Sequence, residues 1–251
     1  MLQKRATGGL VFQSEKLQIH VDPGPGAIVR AKQYGINPTK TNILILSHAH
    51  TDHVNDALVM MEAMTSGTRE KKGIVLANKT CVEGCGKFAP LFSDYYKDMV
   101  RELGVFTHGD VYKSGNAIIQ AFRTKHDDPE SMGFVIEVDE IRIGYVSDSE
   151  YFEGLAESIK GCEVIIVNML RPGGERYQGH MCTEDVIKLV KKSNPKLVLL
   201  SHLGFKILEV GPEAEAKNIQ KATGVRTVAA KDGMRLNLNE EIKQTHLSSF
   251  A

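Results

Sequence analysis

Short apolar runs separated by polar turns recur along the chain, and they set its reading before any single residue does. Residues 43–46, 74–77, 164–167 and 197–200 are entirely apolar, as strands buried on both faces require. Residues 9–13 and 16–21 predict a hairpin turning near Ser14-Glu15, and residues 133–138 and 141–146 a second one around Asp139-Glu140. Residues 117–124 alternate in strand fashion, and 226–229 and 234–238 read as closing strands. Helical patterning falls at 27–33, 54–64, 80–103 with a break at Pro90, and 150–160 with a stop at Gly161. Thr183 opens a further helix as N-cap, with Glu184 and Asp185 early and Lys188, Lys191 and Lys192 late, complementing the helix dipole. Asn194-Pro195 stops that helix, and Pro212 and Gly224 bracket the last one. Residues 65–72 are a polar loop. Strands and helices mix throughout, predicting an α/β (α+β) fold of two sheets face to face with helices outside. No repeat or long linker divides residues 1–251, so the expectation is a single domain.

Composition narrows the function. The 31 basic and 31 acidic residues cancel, whereas a nucleic-acid binder usually carries a basic excess. Net charge therefore gives no support to nucleic acid as partner. The 4 cysteines are too few for a disulfide framework in 251 residues. Cys81 and Cys85 have no second pair to complete a zinc knuckle, so all are read as reduced thiols of a cytoplasmic protein. No apolar run is long enough to span a membrane, and the first residues lack the apolar core of a signal peptide. An apolar segment at 88–96 is a candidate lid or homo-oligomer interface.

The chemistry concentrates in Ser47-His48-Ala49-His50-Thr51-Asp52-His53, directly after an apolar strand. Imidazole and carboxylate suit zinc, manganese or iron alike. On a strand end, alternate residues share a side, so His48 and His50 can serve one ion. Asp52 and His53, past the bend, can serve a second. A histidine-rich surface turn is the plainer alternative, and three later residues weigh against it: His126, Asp148 and His202 each follow a predicted strand.

With these residues in place, the chain resembles the metallo-β-lactamase superfamily. Its signature is His-x-His-x-Asp-His, and the later order of histidine, aspartate and histidine matches too. The resemblance runs from the Asp22 turn to His202. It implies a four-layer αββα sandwich and a binuclear metal site at one edge of the sheets, most simply holding two divalent zinc ions. Carried over residue by residue, His48, His50 and His126 hold one ion, Asp52, His53 and His202 the other, and Asp148 bridges both. A hydroxide shared by the two ions would then attack the substrate, as in other two-metal hydrolases. Asp22 matches an early family aspartate that orients the ligands. On chain pattern alone, a turn aspartate before Pro23 serves equally well.

Within that family, Asp148 replaces the cysteine used nearby by the best-known zinc β-lactamases, which argues against antibiotic hydrolysis. His50 stands where oxygen-reducing flavodiiron members place glutamate. Gly179-His180-Met181-Cys182-Thr183 is similar to the histidine motif of the tRNase Z-like and phosphodiesterase branch. Asp52 and His180 are the catalytic candidates, with His180 as general acid or phosphate contact; a surface histidine beside an N-cap is the simpler alternative. Arg171 and Arg176, in a Gly/Pro-rich loop, can grip a phosphate or merely face water. His20 is expected to pack half-buried in a strand, and His108 and His246 receive no role. The expected activity is hydrolysis of phosphodiester bonds in a small-molecule or nucleotide-like substrate. Hydrolysis of carboxylic esters, thioesters or lactones on the same site is the alternative, and a non-catalytic scaffold the third reading.

Overall fold

The computed structural model describes residues 4–7 and 9–242, so His246 lies outside the described residues. The chain divides into two compact units. The first comprises the residues up to Thr107 together with Asp128–Ser131; the second comprises His108–Asp127 and the residues from Met132 onward.

The first unit holds a sheet of β1 (Leu10–Gln13), β2 (Gln18–Val21), β3 (Ile43–Leu46), β4 (Ile74–Ala77) and β5 (Glu102–Val105), paired in that order. β1 and β2 form the expected antiparallel hairpin, and β2 to β5 run parallel. The crossovers carry α1 (Ala27–Gln33), α2 (Thr51–Val54), α3 (Ala57–Met64), α4 (Lys79–Glu83) and α5 (Asp94–Met99). Strands β2, β3 and β4 are buried along their whole length, and the fully apolar β3 and β4 show the pattern that parallel strands covered on both faces require. His20, expected half-buried, is 1% exposed in β2, because every residue of that strand is covered. Leu44, Leu46, Val75 and Ala77 pack with Met60, Met61 and Met64 of α3 into one core cluster.

Local patterning erred where one pattern covers two elements. The helix expected at 54–64 is two helices, α2 and α3, with α2 beginning at Thr51. The helical reading of 80–103, with its break at Pro90, holds for α4 and α5 alone: Gly84 sits at φ 82°, closing α4, and Cys85 and Phe88 form an isolated bridge. The chain resumes as α5 and then as strand β5, added to the sheet edge by pairing with β4.

The second unit holds β6 (Val111–Ser114), β7 (Ala117–Arg123), β8 (Met132–Val138), β9 (Ile141–Val146), β10 (Val164–Arg171), β11 (Met181–Cys182), β12 (Leu197–Ser201) and β13 (Arg226–Ala229). The sheet order is β13-β12-β10-β9-β8-β7-β6, with β11 pairing β10. β9, β10, β12 and β13 are parallel, while β6 to β9 are antiparallel neighbours. The β8–β9 turn is tight, with Asp139 and Glu140 both at positive φ. Its helices are α6 (Leu155–Ser158), α7 (Thr183–Ser193), α8 (Phe205–Val210) and α9 (Pro212–Thr223). α6 is much shorter than the helix expected at 150–160, because Gly154, at φ 96°, starts it late. The N-cap of α7 is Cys182, one residue before the expected Thr183, and its amide donates to the Asp185 carboxylate. The strand expected at 234–238 does not form. Residues 238–242 are helical instead, with the Asn237 carbonyl accepting from the amides of Glu240 and Glu241.

Candidate metal centre

Parallel strands bring their carboxyl ends to one edge, where loops are free to carry chemistry. In the first unit β2 ends at Asp22, β3 at Ser47-His48 and β4 at Asn78. Cross-strand amides extend the ladder there: Asp22 N–H donates to Ile45 O (2.9 Å) and Asn78 N–H to Leu46 O (3.2 Å). Asp22 is therefore held by the sheet rather than by a simple turn, at a left-handed φ of 52° that non-glycine residues rarely adopt.

The reason for that strain is visible in its side chain. One carboxylate oxygen, Oδ1, accepts the Ser47 amide at 2.7 Å. The other, Oδ2, accepts the Ser47 hydroxyl at 2.7 Å and His53 Nδ1 at 3.0 Å. Since the Ser47 proton is spent on Asp22, the Ser47 oxygen is left to accept from His48 Nδ1 at 2.9 Å. One buried carboxylate thus places the proton on Nδ1 of both His48 and His53, directly for one and through Ser47 for the other. The lone pair then resides on Nε2 of each, the form a metal needs. The rings gather closely: His48 lies 4.1 Å from His53 and 4.9 Å from His50 between centroids, and Phe88 packs 5.8 Å from His50. His48 and His53 are 0% and 3% exposed. Asp52, in the first turn of α2, has its carboxylate 3.9 Å from His53 Nε2. Gly24 makes this packing feasible, because a Cβ there would meet Asp52 O at 2.0 Å.

In the second unit the donors come singly. His126 follows β7, Asp148 follows β9, His180 precedes β11 and His202 follows β12. Asp148 is the hub. Its Oδ1 accepts Asn168 Nδ2 of β10 at 2.7 Å. That bond turns Oδ2 toward His202 Nε2 (3.4 Å), His180 Nδ1 (3.6 Å) and His126 Nε2 (4.0 Å). His126, Asp148 and His180 each offer a ligand atom within 4.8 Å of the others. His126 Nδ1 donates to Gly179 O at 2.9 Å, which again leaves Nε2 as the donor atom for an ion. Gly179, at φ 76°, has no room for a side chain, since a Cβ would lie 2.5 Å from that Nδ1. His202 repeats the backbone device of Asp22, with a φ of 53° at a strand end. Sequence reading passed over Asn168 because a polar residue inside an apolar strand carries no signal of what it touches.

The donor chemistry fits a divalent cation. Separations of 3.4–4.0 Å between imidazole nitrogen and carboxylate oxygen exceed most direct hydrogen bonds. The His202 separation of 3.4 Å matches two ligands on one ion, since bonds of about 2.1 Å at a tetrahedral angle put donor atoms about 3.4 Å apart. His180 is also at the wall of a cavity of about 170 Å³ bordered by Glu150, Tyr151, Arg176, Tyr177 and Gln178. Arg176 reaches the buried Asp185 at 3.4 Å, and the Arg171 guanidinium lies 4.8 Å from the Tyr177 ring centre. Lys125 and the Gly179 amide hold the Glu150 carboxyl below its usual range. The 4 cysteines are free thiols, and none joins the described donor groups.

The family model described as "Beta-lactamase superfamily domain" matches residues 18–203. The chain belongs to the metallo-β-lactamase superfamily, a mixed α/β fold with two sheets that includes metal-dependent hydrolases. It is 38% identical over 238 residues to an uncharacterized protein of Methanocaldococcus jannaschii, covering 94% of this chain and 89% of that one. It is 27% identical over 140 residues to a ribonuclease Z of Sulfolobus acidocaldarius, covering 53% of this chain and 44% of that enzyme. The metallo-β-lactamase fold protein YhfI from Bacillus subtilis superposes with a TM-score of 0.77 at 21% identity, over 92% of each chain. Among the described residues no helix is long and apolar enough to cross a membrane.

Proposed function

We propose that this protein is a binuclear metal-dependent phosphodiesterase acting on a small or nucleotide-like substrate. The observation that carries the reading is the ring of His126, His180 and His202 around one oxygen of Asp148. In this reading His48, His50 and His126 would hold one ion and Asp52, His53 and His202 the other, with Asp148 available to both. The family match supports it by spanning both donor sets, and the likeness to a ribonuclease Z supports phosphodiester chemistry. Divalent ions there would make water acidic enough to supply hydroxide near neutral pH and would offset charge on the phosphate.

The protein's own groups do the rest. Asp22 sets the tautomers of His48 and His53, and Asn168 aims Asp148. His180 turns Nδ1 to Asp148, so Nε2 is the atom that delivers a proton to the leaving oxygen, with the Asp148 charge steadying the imidazolium. The cavity beside His180 receives the leaving group, and Arg176 borders it.

Purified protein should contain about two equivalents of zinc, manganese or iron and should cleave bis-p-nitrophenyl phosphate or a cyclic nucleotide. His180→Ala should lower kcat on the order of a hundredfold and leave metal content unchanged. Metal-loaded protein inert toward phosphodiesters but active on a thioester or lactone, with turnover indifferent to His180→Ala, would overturn the reading.

A further inference from the structure

Asp128 is 0% exposed, yet nothing in the proposed chemistry uses it. A buried carboxylate without compensation is costly, and Asp128 is fully compensated by donors from separate segments. Oδ2 accepts the Ala49 amide at 2.9 Å and Asn78 Nδ2 at 2.8 Å. Oδ1 accepts the Thr80 hydroxyl at 2.6 Å and the Glu130 amide at 3.0 Å. Asn78 in turn caps α4 through the Cys81 amide at 2.9 Å.

Ala49 is the residue between His48 and His50. Its peptide orientation decides which way both flanking imidazoles leave the backbone, and its amide has Asp128 as acceptor rather than a strand partner. His126 stands two positions before Asp128 in the chain. The same carboxylate therefore pins the peptide between one histidine pair by hydrogen bond. We propose that Asp128 is a positioning residue, clamping the Ala49 peptide so that His48 and His50 are set for their ion before it arrives. This rests on the metal reading above, though not on which bond is cleaved.

The test measures zinc affinity of the whole chain by competition with a chromogenic chelator, beside thermal stability of the metal-free form. Asp128→Ala should weaken zinc binding about tenfold to a hundredfold, the usual cost of losing an orienting partner. Asp128→Asn keeps an oxygen for Ala49 but gives up the charge, and should fall between wild type and Asp128→Ala. Thr80→Val removes one bond to Asp128 and leaves the Ala49 clamp intact. It should lower the metal-free Tm while holding zinc affinity within about twofold of wild type, a split a merely structural role would not produce. Should Asp128→Ala not fold, Asp128→Asn decides by the same comparison. Zinc affinity of Asp128→Asn equal to wild type, or loss in Thr80→Val matching its own, overturns the proposal. Wild type that binds no zinc overturns it together with the metal reading. Wild type that binds zinc but cleaves no phosphodiester overturns the function alone.

Discussion

The two donor sets are built in opposite ways. In the first unit His48, His50, Asp52 and His53 lie within six residues, and Asp22 orients two of them, His53 directly and His48 through Ser47. In the second, His126, Asp148, His180 and His202 come from four separate loops and gather around Asp148 Oδ2. The first set is preorganised by neighbours in sequence, so its geometry depends on a few local hydrogen bonds. The second depends on strand order: β9, β10 and β12 must lie side by side and parallel before Asp148, Asn168 and His202 become neighbours. A set held by one hub should fail all at once when the hub is removed, and one held by local bonds should fail in steps.

The largest effect expected is at the hub. Asp148→Ala should reduce phosphodiester turnover on the order of a thousandfold or more, together with loss of metal content by elemental analysis. Retention of both would show that the second set does not converge as described. Chelation comes next. Stripping metal should abolish activity, and metal at a hundredfold above its Kd should restore it and raise stability by about 2.7 kcal/mol, read as a Tm shift in calorimetry.

The orienting residues then separate the two sets. Asp22→Asn loses the carboxylate that sets both His48 and His53, and should weaken metal binding about tenfold to a hundredfold. Asn168→Ala frees only one carboxylate oxygen and should cost less, though its burial leaves Tyr145 and Asp148 without that partner. Equal losses in a chelator competition would show that one hub bond matters as much as the whole Asp22 network.

The smallest effect concerns the thiols. Burial raises the pKa of Cys81, Cys162 and Cys182, with Cys162 pushed to about 11. Cys85 is only half-buried. Iodoacetamide at neutral pH should therefore modify Cys85 first, seen by peptide mass mapping, with little change in metal content. Early labelling of Cys81, which packs among the residues under β3 and β4, would show that the first unit opens more readily than its core implies.

Much of this was legible in the chain because its signals are local. Apolar runs of four residues marked β3 and β4, and a histidine cluster at a strand end marked the first donor set, without any knowledge of partners. The stop of α7 at Asn194 and both ends of α9 were legible for the same reason, while the α7 cap fell one residue earlier than expected, at Cys182. Local signals also misled where tertiary pairing had the last word. Residues 102–105 became a strand because β4 offered them an open edge, and residues 234–238 did not because a helical turn capped by Asn237 satisfied the backbone instead.

The sequence by itself determined the donor types, the compact half of the site and the family. Only the tertiary structure decided what orients those donors. It made Asp22 an acceptor for Ser47 and His53, gave Asp148 to Asn168 and buried Asp128 against Ala49. The physical reason is that a lone aspartate or asparagine has the same pattern in sequence whether it caps a turn or aims a ligand. Its role is set by the donors that burial brings within hydrogen-bond distance, and those come from strands far apart in the chain.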